Sequence, residues 1–192
     1  IVVFTLLSTW KQGRALMADR MSELAIKLQP FIENIGVHPP PRIEGTEVFL
    51  SSSSDAVPHA LLHNLKHNKV MHERVVILTV VFHDVPHIDD SESVEVRPLG
   101  NNFFKVTVNY GFKDEPDIPY SLELCGKQGL VFKMIDTSFF LSRETLIATS
   151  RPGMALWREK IFVGMQRNAG SATAYFNIPT NRVVELGAQI EL

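Results

Sequence analysis

Six of the seven histidines lie between His59 and His87, and His59, His63 and His67 recur at every fourth residue. On a helix that spacing lines them up on one face, where adjacent imidazoles can share a metal ion. The first and third stand about 12 Å apart along the axis at 1.5 Å per residue, so one ion cannot take all three. No His-Glu-x-x-His motif and no cysteine cluster supplies further ligands. The pattern is therefore read as a solvated or hydrogen-bonded helix face in preference to a zinc site, and no metal is expected. A shared imidazole face still leaves room for pH sensitivity.

The other candidate is the run Ser51-Ser52-Ser53-Ser54-Asp55, placed after an apolar strand and before a helix start. Backbone N–H groups and the helix dipole favour anions there, and ligands of open α/β sheets dock in such crevices. Ser52, Ser53, Ser54 and His59 are the residues this reading assigns to a regulatory anion or nucleotide. The loop lacks glycine and a Gly-Lys-Ser/Thr ending, which excludes a Walker-type cradle, and the competing reading is a helix cap by Ser or Asp.

Catalytic patterns are missing. Neither Gly-x-Ser-x-Gly nor Gly-x-Gly-x-x-Gly occurs, and no paired carboxylates are set out for acid–base work. Cys125 is the only cysteine, which rules out an internal disulfide and suits a reducing compartment. Within Leu122-Glu123-Leu124-Cys125 it reads as a small core residue. Asp89, Asp90 and Glu92 read as a solvated acidic turn without the spacing of a calcium loop. The chain is read as non-enzymatic, and no cofactor is expected.

The elements that must position these residues follow from periodicity. Glu47 to Leu50 reads as a buried strand, Val57 to Lys69 as a helix and Val75 to Val81 as the next strand, a β-α-β unit. Val94 and Val96, then Val106, Val108 and Tyr110, alternate with polar residues across Gly100-Asn101-Asn102, a hairpin signal. Asp117 is placed to cap a helix with Pro119 in its first turn, running to about Gln128. Two short strands, Thr137 to Leu141 and Leu146 to Ala148, precede a helix starting at Pro152 with Met154, Trp157, Ile161, Phe162 and Met165 on its apolar side and Gly170 as its stop. Arg182 to Leu192 reads as a last strand. The expected fold is α/β, a mixed β-sheet with flanking helices, preceded by an amphipathic helix from Ser8 to Gln29 limited by Pro30. Its stripe of Met17, Met21, Leu24 and Leu28 makes a homodimer conceivable. His38-Pro39-Pro40-Pro41 reads as an extended connector.

The chain has 192 residues, 45% of them apolar and 21% charged, enough for one domain with a sizeable core plus an appendage. A formal net charge of −2 with both signs scattered gives no reason to expect nucleic acid.

Gly45-Thr46-x-Val48-Phe49-Leu50 followed by Val57-Pro58-His59-Ala60-Leu61-Leu62-His63-Asn64-Leu65-Lys66-His67-Asn68-Lys69-Val70 closely resembles the cytoplasmic C-terminal region of bacterial KUP-type potassium uptake permeases. Trp10 to Arg14, Ser138 to Thr145 and Asn181 to Gly187 resemble the same tail. The resemblance implies a proton-coupled potassium transporter of the cell inner membrane, with this region on the cytoplasmic side and the transmembrane portion of the same transporter as its partner. It implies no ion-binding residue here, since those lie in the membrane core. Cyclic dinucleotides regulate some members of the wider superfamily, which makes one a conceivable ligand. On this reading residues 1–36 are the end of a transmembrane helix and a membrane-proximal helix, 37–43 a linker and 44–192 a cytosolic α/β domain. Ile1 to Leu7, flanked by Trp10, Lys11 and Arg14, has the character of a helix end at a membrane surface, although a full span needs about 20 apolar residues. The alternative is a stand-alone nucleotide-binding α/β protein of the stress-protein type, with the serine loop as its phosphate site.

Overall fold

The computed structural model describes residues 1–23, 25–53, 55–147, 149 and 153–191. By its internal contacts the chain divides into two compact units, one of Ile1–Ala25, Arg143–Gly170 and Gly187–Leu192, the other of Ile26–Ser142 and Ser171–Leu186.

The larger unit is built on a mixed sheet, the α/β class that strand and helix alternation implies. The sheet's strands are β1 (Arg42–Leu50), β2 (Met71–His83), β3 (Val94–Gly100), β4 (Phe103–Gly111), β5 (Thr137–Ile147) and β6 (Val183–Glu191), in the order β3-β4-β2-β1-β5-β6, and β5 from Arg143 and β6 from Gly187 belong to the smaller unit. β1 runs parallel to β2 and β5, and β2 parallel to β4, while β3 returns antiparallel along β4. Alternation along each strand divides the core between two faces. Val48, Val76, Leu78, Val106 and Val108 join α4 (Ile118–Leu124) on one side. Phe49, Val75, Ile77 and Phe103 join α2 (Leu28–Val37) and α3 (His59–Asn68) on the other.

Local chemistry explains several of these elements. The β3–β4 turn places Gly100, Asn101 and Asn102 at φ 89°, 50° and 62°, the left-handed conformations that a tight hairpin demands and that Gly and Asn adopt at least cost. The Asp117 carboxylate accepts the Tyr120 N–H at 2.8 Å, capping α4, and a short 3-10 turn carries the chain to Gln128.

Several expected boundaries change, and β1 and β2 begin at Arg42 and Met71, ahead of the expected Glu47 and Val75. The expected Ser8–Gln29 helix is two helices, α1 (Val2–Glu23) and α2, and Pro30 sits inside the first turn of α2, where its missing N–H has no partner to lose. Leu28 thus leaves the expected stripe and joins Ile32 and Ile35 in the core of the larger unit. Leu24 lies outside the described residues. The two short strands after Thr137 are one strand, β5, because the polar Ser142, Arg143, Glu144 and Thr145 continue it; Ala148 lies outside the described residues. The helix expected from Pro152, α5 (Leu156–Arg167), starts later than expected and ends at Asn168 before Gly170, Pro152 lies outside the described residues, and a short helix, α6 (Ala172–Tyr175), follows it.

The smaller unit pairs α1 with α5. Met17 and Phe162 are buried together with Leu146, Met154 and Ile190, and Met21 packs against them. Trp10 meets the Phe162 ring edge-on at 5.5 Å. Arg158 reaches across with its whole guanidinium, donating to Thr9 Oγ1 at 2.9 Å, Gln12 Oε1 at 2.8 Å and Ser8 Oγ at 3.2 Å. The start of α1 is bare, with Ile1, Val2, Val3, Phe4 and Leu7 all exposed. Among the described residues no helix is long and apolar enough to cross a membrane.

Candidate functional site

The serine loop leaves β1 at its carboxyl end, and Ser51 extends the strand by donating its N–H to the Leu78 carbonyl at 2.9 Å. The Ser51 hydroxyl is spent locally: it donates to the Ser53 carbonyl at 2.8 Å and accepts the Ser53 N–H at 3.2 Å. Ser52 and Ser53 are exposed, Ser54 lies outside the described residues, and His59 is half-buried as the first residue of α3. The helix start beside them is already supplied. Ala60 donates its N–H to Ser142 Oγ at 3.1 Å, and Leu61 and Leu62 donate theirs to the Pro58 carbonyl. The loop and helix are thus adjacent as expected, but the amides an anion would seek are largely engaged.

The same loop helps to wall a different site. Lys27 forms an antiparallel bridge with Ala56, Leu28 donates its N–H to the Asp55 carbonyl at 2.9 Å, and Val57 donates to the Ile26 carbonyl at 2.9 Å. This ties the loop to the entry of α2. Between them and the β3–β4 hairpin opens a pocket of about 350 Å³, with Leu28 and Leu99 in its lining. Lys27 from the α2 entry, Arg97 from β3 and Lys105 from β4 bring three cations to it, against the single carboxylate of Asp55.

Arg97 and Lys105 are directly opposite each other in the β3–β4 register, a like-charge pairing that costs stability. Each has a carboxylate partner. Lys105 Nζ lies 3.3 Å from Asp55 Oδ1, with the Lys105 side chain 18% and the Asp55 side chain 90% exposed. Arg97 pairs with Glu95 at 3.2 Å, both exposed.

A buried polar cluster lies deeper on the same face of the sheet. Glu47 has no exposed surface. Its Oε2 receives His72 Nδ1 at 3.0 Å and the Asn64 amide at 3.4 Å, while Oε1 has no hydrogen-bond partner. Asn68 extends the chain by donating to Asn64 Oδ1 at 2.6 Å. Arg42 donates to the His72 carbonyl at 2.8 Å and lies 5.8 Å from the centre of the Phe103 ring. Burial pushes the Glu47 carboxyl above its ordinary value, and the His72 hydrogen bond and charge and the Arg42 charge oppose that only in part. The sequence carried one signal for this group, a glutamate inside an apolar strand run. Lys27, Arg97 and Lys105 carried none, since only the fold brings them together.

The remaining candidates stay apart. His63 and His67 stack at 5.9 Å, and among the described residues no group of three or more His, Cys, Asp or Glu side chains could hold a metal. Cys125 is buried, donates to the Ser121 carbonyl at 3.4 Å, and has its thiol pushed up to about 11 by burial, so it is held as an unreactive thiol. In the acidic turn, Asp90 accepts the Tyr120 hydroxyl at 2.6 Å.

Comparison with known proteins adds what geometry does not. Residues 44–192 match the family described as K+ potassium transporter C-terminal domain. The chain is 54% identical over 192 residues to a probable potassium transport system protein Kup 2 of Chromobacterium violaceum, covering 100% of the chain and 31% of that protein. It is 54% identical to a probable Kup protein of Myxococcus xanthus, covering 100% of the chain and 29% of the relative. A probable Kup protein of Azoarcus is 56% identical over 190 residues, covering 99% of the chain and 30% of the relative. The chain thus spans under a third of the length of these curated relatives. No solved structure matches it.

Proposed function

Because the chain belongs to the potassium transporter C-terminal domain family, we propose that it is the cytosolic C-terminal domain of a proton-coupled potassium uptake transporter of the inner membrane, serving assembly or regulation and carrying no ion-translocating residue. The observation that supports this reading is the similarity, over the whole of this chain, to under a third of the length of Kup proteins at 54–56% identity. The division of roles is membrane-proximal for residues 1–36, linker for 37–43 and cytosolic for 44–192. The exposed apolar start of α1, followed by Trp10, Lys11 and Arg14, has the character of a helix end at a membrane surface. Its partner is the transmembrane portion of the same transporter. No catalytic role is included, since the candidate nucleophile Cys125 is a buried thiol with a raised pKa.

Regulation by an anionic ligand, a cyclic dinucleotide among the candidates, would fall at the serine loop to the side chains of Ser52, Ser53, Ser54 and His59, since the helix-start amides beside them are largely engaged. Self-association falls to the edge strands β3 and β6, since within the chain Met17 is buried and Met21 half-buried. Removing residues 44–192 from the full transporter tests the proposal. Potassium uptake should persist with altered assembly or control, and loss of all uptake by a correctly assembled truncated protein would show that this region carries ions. Sedimentation of the 192-residue chain tests the dimer, which a monomer at every concentration removes.

A further inference from the structure

We propose that the pocket between the α2 entry and the β3–β4 hairpin binds a phosphomonoester of about mononucleotide size, held by Lys27, Arg97 and Lys105. The proposal rests on the regulatory reading for its purpose and on the pocket alone for its chemistry.

The charge count is the first support. Three cations from three separate segments line the pocket with one carboxylate, and the Glu95 carboxylate that pairs with Arg97 outside the lining is itself exposed, so the site has a net positive charge that attracts a phosphate. Second, Arg97 and Lys105 stand directly opposite on neighbouring strands. That repulsion is relieved when an anion bridges them. Third, the carboxylate that holds Lys105 is easily displaced. The Asp55 side chain is 90% exposed on the serine loop, and an exposed pair of that kind is weakly held. The backbone supplies little: Pro30 has no N–H, and the Leu28 N–H is committed to Asp55. Recognition therefore falls to the side chains, Arg97 as a planar fork and the lysines as point charges. Leu28 and Leu99 are apolar lining against which the organic part of the ester can rest, and about 350 Å³ admits a mononucleotide.

Calorimetry on the 192-residue chain tests this with inorganic phosphate, adenosine 5′-monophosphate, adenosine and phosphatidylglycerol vesicles. The monophosphate should bind, phosphate more weakly, and adenosine not at all. Arg97→Gln and Lys105→Gln should each weaken the monophosphate at least tenfold, Lys105→Arg should restore it, and Lys127→Gln should leave it unchanged. Absence of heat with both phosphate and the monophosphate, or equal affinity in Arg97→Gln, overturns the proposal. Vesicle binding without either soluble phosphate assigns the chemistry to lipid headgroups and overturns it as well. If the monophosphate binds while potassium uptake by the full transporter ignores Arg97→Gln, the pocket stands and the regulatory reading falls. If nothing binds while truncation still alters uptake, the reverse holds.

Discussion

A Cβ added at Gly13 of α1 would stand 2.3 Å from Cγ of the Phe162 ring on α5. That atom is the root of a fully buried ring and not the tip of a flexible chain, so it cannot swing aside. In an exposed helix, replacing Gly by Ala gains about 1 kcal/mol. Here overpacking costs about 1–3 kcal/mol and reverses the sign. Gly13→Ala should therefore lower the thermal midpoint, and Phe162→Leu should recover part of the loss in the double variant. A stabilised Gly13→Ala chain would show that α1 and α5 do not meet in this way.

Arg158 is tied to three hydroxyl and amide oxygens of α1. Lysine cannot reproduce a planar fork, and Thr9 is fully buried, so its hydroxyl would lose a partner where water cannot replace it. Arg158→Lys should cost about 1–3 kcal/mol. Hydrogen exchange should show faster exchange of the α1 amides, with the strands of the larger unit unaffected.

Glu47 makes stability fall as pH rises. Its folded pKa lies above the ordinary value of a glutamate, first because of burial. Below that value the carboxyl is neutral folded or unfolded, and its favourable contribution is complete. As pH climbs toward the raised folded pKa the unfolded chain ionises first, and the contribution is lost. Glu47→Gln removes the titration while keeping an acceptor for His72 and Asn64. Chemical denaturation across this window should show a flatter pH profile for Glu47→Gln, and an unchanged slope would show that Glu47 is not the group responsible.

Ile1, Val2, Val3, Phe4 and Leu7 are exposed, whereas Ser8 and Thr9 receive Arg158. Removing residues 1–7 should therefore raise solubility and leave the unfolding midpoint nearly unchanged. Removing residues 1–9 should lower it. Equal midpoints for the two truncations would mean that Arg158 holds α1 through Gln12 alone.

What could be read in advance is what neighbours in sequence decide. The Gly100-Asn101-Asn102 turn, the Asp117 cap and the alternation of Val106, Val108 and Tyr110 each need only adjacent residues, and each is found where expected. The break between α1 and α2 escaped notice because Ile26 to Leu28 turn away to bond the loop at Asp55 to Val57. That demand is invisible to helical periodicity, which carries the stripe straight through to Leu28. Ser142 in β5 looked like the end of a strand because it is polar, yet its hydroxyl is needed to receive the Ala60 N–H. Of the candidate site, the serine loop was legible and the cations were not. Lys105 and Asp55 lie 50 residues apart in the chain, and only the sheet order brings them together.

The partners in the Arg158 clamp are separated by 149 residues in the case of Thr9. At ribosomal rates of about 5–20 residues per second, α1 emerges on the order of ten seconds before the helix that will cover it. During that interval Met17 and Met21 lack the Phe162 side of the α1–α5 pair that covers them. The smaller unit, which also takes in Gly187–Leu192, therefore closes only after strands β1 to β4 of the larger unit have been made, and α1 waits uncovered by α5 until then.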